Sequence, residues 1–344
     1  MRVHVSNESS SRYNAWTEAP PLPSKLHPSL TSDWDKLIRK VMAVLGVFSG
    51  ESLSKSRTVQ RLALIWQVTV AMITTGAVVF VLLTGFNDSN SFGFELMFKL
   101  SFLSWYLSCI TYMWMMLYGC HSKKGFSNFY SHLDTTVEIL RSVGIEIEEE
   151  PPRKQKYFVY VSVMAFLLAI AYFIVDLAVM KEGIFTGAHL DRMNISVMLI
   201  TSSRVINGYC MIACSAAYMM PPAYIMNIAY SLWCILSKYN DFVGDLVKTN
   251  EVFFLRGIGQ YRKIHLELCD LVVTANQPLK WILAVTTGAL VLILLIVLYI
   301  IALSFSKPGL SPGFYTATSY WVILNTAILG LTIYFAQKVF NQVT

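Results

Sequence analysis

Six long apolar runs, separated by polar stretches of uneven length, dominate the pattern along the chain. They are Leu62–Gly85, Phe94–Gly119, Tyr157–Met180, Ile195–Ala217, Trp281–Phe305 and Phe314–Gln337. Each reaches the roughly 20 residues that a helix needs to cross a bilayer. Hydrocarbon offers no water to free backbone groups, so such runs must be helical. A further apolar stretch, Met219–Leu236, opens with Pro221-Pro222. Two prolines remove two amide donors and suit a kink or a helix start. This stretch reads as an extension of the fourth helix, or as a tight turn into another crossing.

The polar parts carry helical periodicity as well. Residues 1–31 are rich in Ser and Pro and read as a disordered cytoplasmic tail. Over 32–49, Trp34, Leu37, Ile38, Val41, Met42 and Leu45 share one helical face, with Lys36, Arg39 and Lys40 on the other. Such an amphipathic helix lies on the inner leaflet or packs on the bundle. Within 237–280, Ile258, Tyr261, Ile264, His265, Leu268, Leu271 and Val272 form a stripe. It predicts a cytoplasmic helical anchor segment that needs a partner surface, in its own chain or another subunit. The run 144–156 reads as a solvated turn. The expected organisation is a tail at 1–31, the amphipathic helix at 32–49, and four spans at 62–236 with a cytoplasmic extension of the fourth. The anchor segment at 237–280, two spans at 281–337 and a cytoplasmic end at 338–344 follow.

Composition agrees with this class. The 344 residues are 55% hydrophobic and only 14% charged, against about 25% charged in ordinary soluble domains. The fold class is all-α, a polytopic helical membrane protein of six transmembrane helices in the plasma membrane. The first long apolar run starts too late for a cleaved secretory signal. Lys and Arg number nine in 1–61, six in 120–156, six in 237–280 and one at Lys338, so twenty-two of 27 fall on one side. By the positive-inside rule that side, with the N-terminus, is cytoplasmic. The same rule disfavours a crossing at 219–237, which would place six basic residues outside. The sequons at Asn87 and Asn194 then face outside as glycosylation candidates, while the sequon at Asn7 faces inside.

Chemistry-bearing motifs are scarce. The chain has no phosphate-binding glycine loop and no His-Glu-x-x-His metal site. None of the six Cys falls in a predicted outside loop, so no external disulfide is expected. No enzyme activity, cofactor, metal or nucleic-acid partner is expected. Four charges interrupt the spans: Glu95 and Lys99, which can pair at i and i+4, Asp176 and Arg204. Arg204 lies about nine residues into its span, roughly 14 Å deep. Ionisable groups at such depth face a bundle interior or a wet cavity. Arg204 therefore lines an outward-opening polar pocket, or forms a buried clamp with Asp176. Aromatic residues in the outer halves of the spans suit a small-molecule site. The ligand-binding candidates are Tyr172, Asp176, Arg204, Tyr299, Tyr320 and Trp321, with Tyr315 and Asn325 nearby.

The order of these parts resembles the insect chemoreceptor superfamily, specifically gustatory receptors and their relatives. KLIRKVMAVLGVFSG resembles the short helix and Leu-Gly element before the first span. The long fourth helix at 195–237 and YRKIHLELCDLVVTANQPLKWILAV before the fifth span are similar to family elements. IYFAQKVFNQVT resembles the inner end of the sixth span. The resemblance runs from about residue 34 onward. It implies a subunit of a ligand-gated cation channel that detects a small-molecule tastant, assembled as a homo- or hetero-tetramer through cytoplasmic helices. The family's seventh helix lines the pore and carries Thr-Tyr, five hydrophobic residues and Gln-Phe. LTIYFAQKVF does not fit that motif, so the expectation is a chain with a ligand pocket and part of the anchor but no pore helix. A G-protein-coupled receptor and a transporter are the competing classes, and a trafficking protein without ligand is a third. The first needs an outside N-terminus, against the charge pattern. The second leads one to expect internal repeats, and none is convincing here.

Overall fold

A computed structural model describes residues 33–49, 56–85, 94–145, part of 157–171, 197–249, 251–305 and 312–343. Their helices, in order, are α1 (Asp33–Val44), α2 (Arg57–Gly85), α3 (Phe94–His121), α4 (Phe126–Ser142), α5 (Val197–Thr249), α6 (Glu251–Ser304) and α7 (Pro312–Val343). A helical stretch at 163–168 belongs to the third apolar run. No strand occurs among the described residues.

Among the described residues, stretches of α2, α5, α6 and α7 are long and apolar enough to cross a membrane. The predicted second span coincides with α3. Both α5, of 53 residues, and α6, of 54, exceed any single crossing. At 1.5 Å per residue each is about 80 Å long, more than twice the hydrocarbon thickness. Each therefore leaves the membrane at one end as helix. The chain passes through Pro221 and Pro222 within α5 and makes no turn there.

The core sits around α5. Residues 213–228 are buried without interruption, and a helix apolar on all sides belongs in the middle of a bundle. Around it pack α1, α2, α3, α6 and α7. The outward faces of the peripheral helices are apolar too: Ile323 is 68% exposed, and Leu295 and Ile333 are more than half exposed. Such a surface suits lipid rather than water. Hydroxyls inside the helices follow the same logic. Thr74, Thr75, Thr111, Thr286 and Thr332 each donate to the carbonyl four residues earlier, at 2.6–2.8 Å. Where no water is available, the helix backbone is the nearest acceptor.

The α1 helix packs on the bundle. Ile38 and Met42 are buried as the periodicity predicts, but so is Arg39. The polar-face expectation for Arg39 is thereby corrected. Its guanidinium lies 4.5 Å over the Tyr130 ring of α4, so a cation–π contact offsets part of its desolvation. Leu37, expected on the buried face, is 42% exposed. At the end of α1, Gly46 has φ +71°, and a Cβ there would stand 2.5 Å from Val70 of α2. Glycine alone makes that close turn without strain. The turn carries Phe48 against Phe126 at 6.2 Å and edge-on to Tyr224 at 5.6 Å.

The loop between the second and third apolar runs contains α4, which buries Phe126, Phe129, Tyr130, Leu133, Val137 and Leu140. Their helical spacing is present in the sequence. The α4 helix docks on the half of α6 before Trp281: His132 reaches Thr274 at 3.2 Å, Glu267 at 3.8 Å and Asp270 at 3.9 Å. In the same region Tyr239 of α5 donates to the Tyr261 carbonyl of α6 at 2.6 Å. Asn240 donates to Gln342 of α7 at 2.8 Å. These contacts join the ends of α5, α6 and α7 into one subassembly.

Candidate functional site

Among the described residues, a group of aromatic and polar side chains lies where α3, α5 and α7 meet. On α3, Trp105, Cys109 and Tyr112 recur every three to four residues and so share one face. On α5, Met211, Ser215 and Tyr218 do the same. On α7, Trp321 and Asn325 stand four apart. All of these are buried except Trp321, which is half-buried.

The rings meet mostly edge to face, the arrangement favoured by their quadrupoles. Trp321 lies 5.9 Å from both Trp105 and Tyr218, near 70° in each case. Trp105 is 6.4 Å from Tyr218, which is 6.2 Å from Tyr112. Three helices thus share one aromatic junction.

Polar groups orient it. The Tyr218 hydroxyl donates to Asn325 Oδ1. Asn325 Nδ2 in turn donates to the Trp321 carbonyl at 2.7 Å. The amide is fully buried with both ends satisfied. Tyr106 donates to Met211 Sδ at 3.2 Å. Between Met211 and Tyr218 on the same stripe, Ser215 Oγ is buried and has no hydrogen-bond partner among the described residues. An unsatisfied buried hydroxyl costs about 1–3 kcal/mol, so a polar atom of a guest would be stabilising there. One turn along, Pro221 and Pro222 lack the N–H groups that would bond the Ala217 and Tyr218 carbonyls. The junction thus brings together aromatic rings and a few fixed polar groups, the residue types that line small-molecule sites.

Of the residues singled out from sequence, Trp321 and Asn325 are in this junction and Tyr320 flanks it. The Tyr320 hydroxyl donates to the Ala165 carbonyl at 3.0 Å, which ties α7 to the third apolar run. Tyr299 is half exposed on the surface of α6. Arg204 lies within α5, but its side chain is outside the described residues, as are Tyr172, Asp176, Asn87 and Asn194. Sequence reasoning missed Trp105, Tyr112 and Tyr218. Their signal was present as aromatic residues at helical spacing in α3, and as a tyrosine three residues before a proline pair.

A family model described as 7tm chemosensory receptor matches residues 36–343. No curated protein matches significantly. Among solved structures, the insect olfactory receptor OR5 from Machilis hrabei superposes with TM-score 0.68 at 9% identity, covering 90% of this chain and 80% of that one. The same receptor in complex with eugenol gives TM-score 0.64 at 10% identity over the same shares. At this identity the likeness speaks for the fold. With the family match over nearly the whole helical bundle, this multi-pass membrane chain belongs to the 7tm chemosensory receptor family.

Proposed function

We propose that this chain is a gustatory-type receptor subunit of a ligand-gated cation channel, and that its small-molecule ligand is held against the Trp105–Tyr218–Trp321 junction. The observation that carries this reading is the junction itself: aromatic edges from three helices, an oriented Tyr218–Asn325 pair, and an unsatisfied Ser215 hydroxyl. Tyr172, Asp176 and Arg204, whose side chains lie outside the described residues, remain ligand-binding candidates on this reading. On this reading the chain sits in the plasma membrane, with its N-terminus and the long ends of α5 and α6 on the cytoplasmic side. The structural relative OR5 is seen with eugenol, a phenol with an apolar ring, and amphipathic ring compounds suit this lining better than polyols.

Assembly as a homo- or hetero-tetramer is supported by α6. Along its half before Trp281, Leu255, Ile258, Leu266 and Val273 are each at least half exposed. Apolar residues repeated along a helix outside the membrane need a partner surface.

The test is a concentration–response series in cells expressing the chain alone and with related subunits, read by calcium entry. Eugenol and a set of sugars are the probes. Trp321→Ala and Ser215→Ala are expected to shift the response to ring compounds at least severalfold without loss of surface expression. An unchanged response in both variants sinks the assignment of the junction. Responses only to sugars would overturn the ring-compound preference.

A further inference from the structure

We infer that the corner between α1 and the start of α2 binds an anionic phospholipid of the cytoplasmic leaflet. This rests on the proposed inside placement of α1. Lys40, Arg57 and Arg61 are all exposed there. The described residues from Lys36 to Trp66 contain no Asp or Glu and so carry one sign of charge, while Glu51 of the connector lies outside the described residues. Apolar groups lie directly beside these cations. Val44 is 75% exposed, Ile65 63% and Trp66 40%. The two helices are fastened at this point, because Trp66 Nε1 donates to the Val44 carbonyl at 3.0 Å.

The order of these groups argues for lipid over other occupants. Arg57, Arg61 and Ile65 share one face of α2 at four-residue steps. Over those eight residues, about 12 Å of helix, the surface changes from cationic to apolar. A phospholipid has the same gradient from headgroup to acyl chain. Tryptophan prefers that boundary, and long basic side chains reach from it toward phosphate. A protein partner of mixed charge would find no carboxylate among the described residues from Lys36 to Trp66. A free phosphate would leave Val44, Ile65 and Trp66 uncovered.

Each Lys or Arg near an anionic leaflet contributes about fivefold in partitioning. The test uses the full chain in nanodiscs of phosphatidylcholine with and without phosphatidylserine, with retained phosphatidylserine counted by native mass spectrometry. Lys40→Gln with Arg61→Gln is expected to lower retention by on the order of tenfold or more. Arg262→Gln with Lys263→Gln, an equal charge loss on exposed α6 residues, is expected to leave it unchanged. The Lys40→Arg, Arg61→Lys pair is expected to keep retention, which separates charge from misfolding. Equal retention in all variants overturns the site, and so does equal loss in both Gln pairs. Displacement of the lipid by inorganic phosphate alone would mean that the acyl contacts count for nothing, and would also overturn it. An epitope before Met1 is probed in intact and permeabilised cells. Staining of intact cells would refute the inside placement itself, independently of lipid selectivity.

Discussion

At the scale of single residues, the informative positions are polar groups in places where water is scarce. Tyr218 and Asn325 satisfy each other across α5 and α7. Tyr218→Phe leaves the Asn325 oxygen without its donor, at a cost of about 1–3 kcal/mol. In a cycle with Asn325→Leu, the two changes together are expected to cost less than their sum, with a coupling of about 0.5–3 kcal/mol. Thermal unfolding in detergent measures this, and strict additivity would show that the pair acts independently.

Asp134 on α4 is a second such position. Burial pushes its carboxyl up from the ordinary value, Glu138 adds to the rise, and Arg39 opposes it. A raised folded-state pKa means that the ionised form costs stability. That cost is fully present above the folded pKa and is relieved as pH falls through it. Lowering pH from neutral into the mildly acidic range should therefore stabilise the wild type relative to Asp134→Asn. Parallel melting curves at the two pH values would refute this. Arg39 itself was misplaced by periodicity, because a helical pattern assigns charges outward and does not foresee a tyrosine ring on a neighbouring helix.

At the scale of elements, length and proline placement decide most. Pro221 and Pro222 lie within a continuous helix, although a proline in a helix interior costs about 3 kcal/mol relative to alanine. Packing on all sides overrides that local cost. Pro222→Ala restores an N–H for the Tyr218 carbonyl and is expected to raise the melting temperature by roughly a few degrees. Because it stiffens the turn that carries Tyr218, the response to ring compounds should move as well. A lowered melting temperature would mean that the ring's own packing outweighs the recovered hydrogen bond. The α4 helix was legible from Phe126, Phe129, Leu133, Val137 and Leu140 at helical spacing, yet it was overshadowed by the longer apolar runs on either side.

At the scale of the whole molecule, the two long helices set the architecture. Both α5 and α6 run far beyond a bilayer, and α4 and the end of α7 fasten to their extensions. On the half of α6 before Trp281, Leu255, Ile258, Leu266 and Val273 are left exposed. Leu266→Asp is expected to shift assemblies in mild detergent toward single chains, seen by size exclusion with light scattering, while the helical circular dichroism stays unchanged. An unaltered assembly size would exclude this face as the contact.

The sequence by itself determined the class and the course of the chain. Apolar runs of crossing length can only be helices in lipid, so the all-α membrane fold followed from periodicity and length. Tertiary structure alone decided which polar and aromatic residues meet. Trp105, Tyr218 and Trp321 come from helices far apart in the chain, and whether an aromatic residue points outward, as half-exposed Tyr299 does, or at a neighbouring helix depends on rotation about the helix axis. In a helix apolar on every side, no hydrophobic pattern records that rotation. It is fixed by shape complementarity between neighbours and by the few hydrogen bonds that must close inside the bundle.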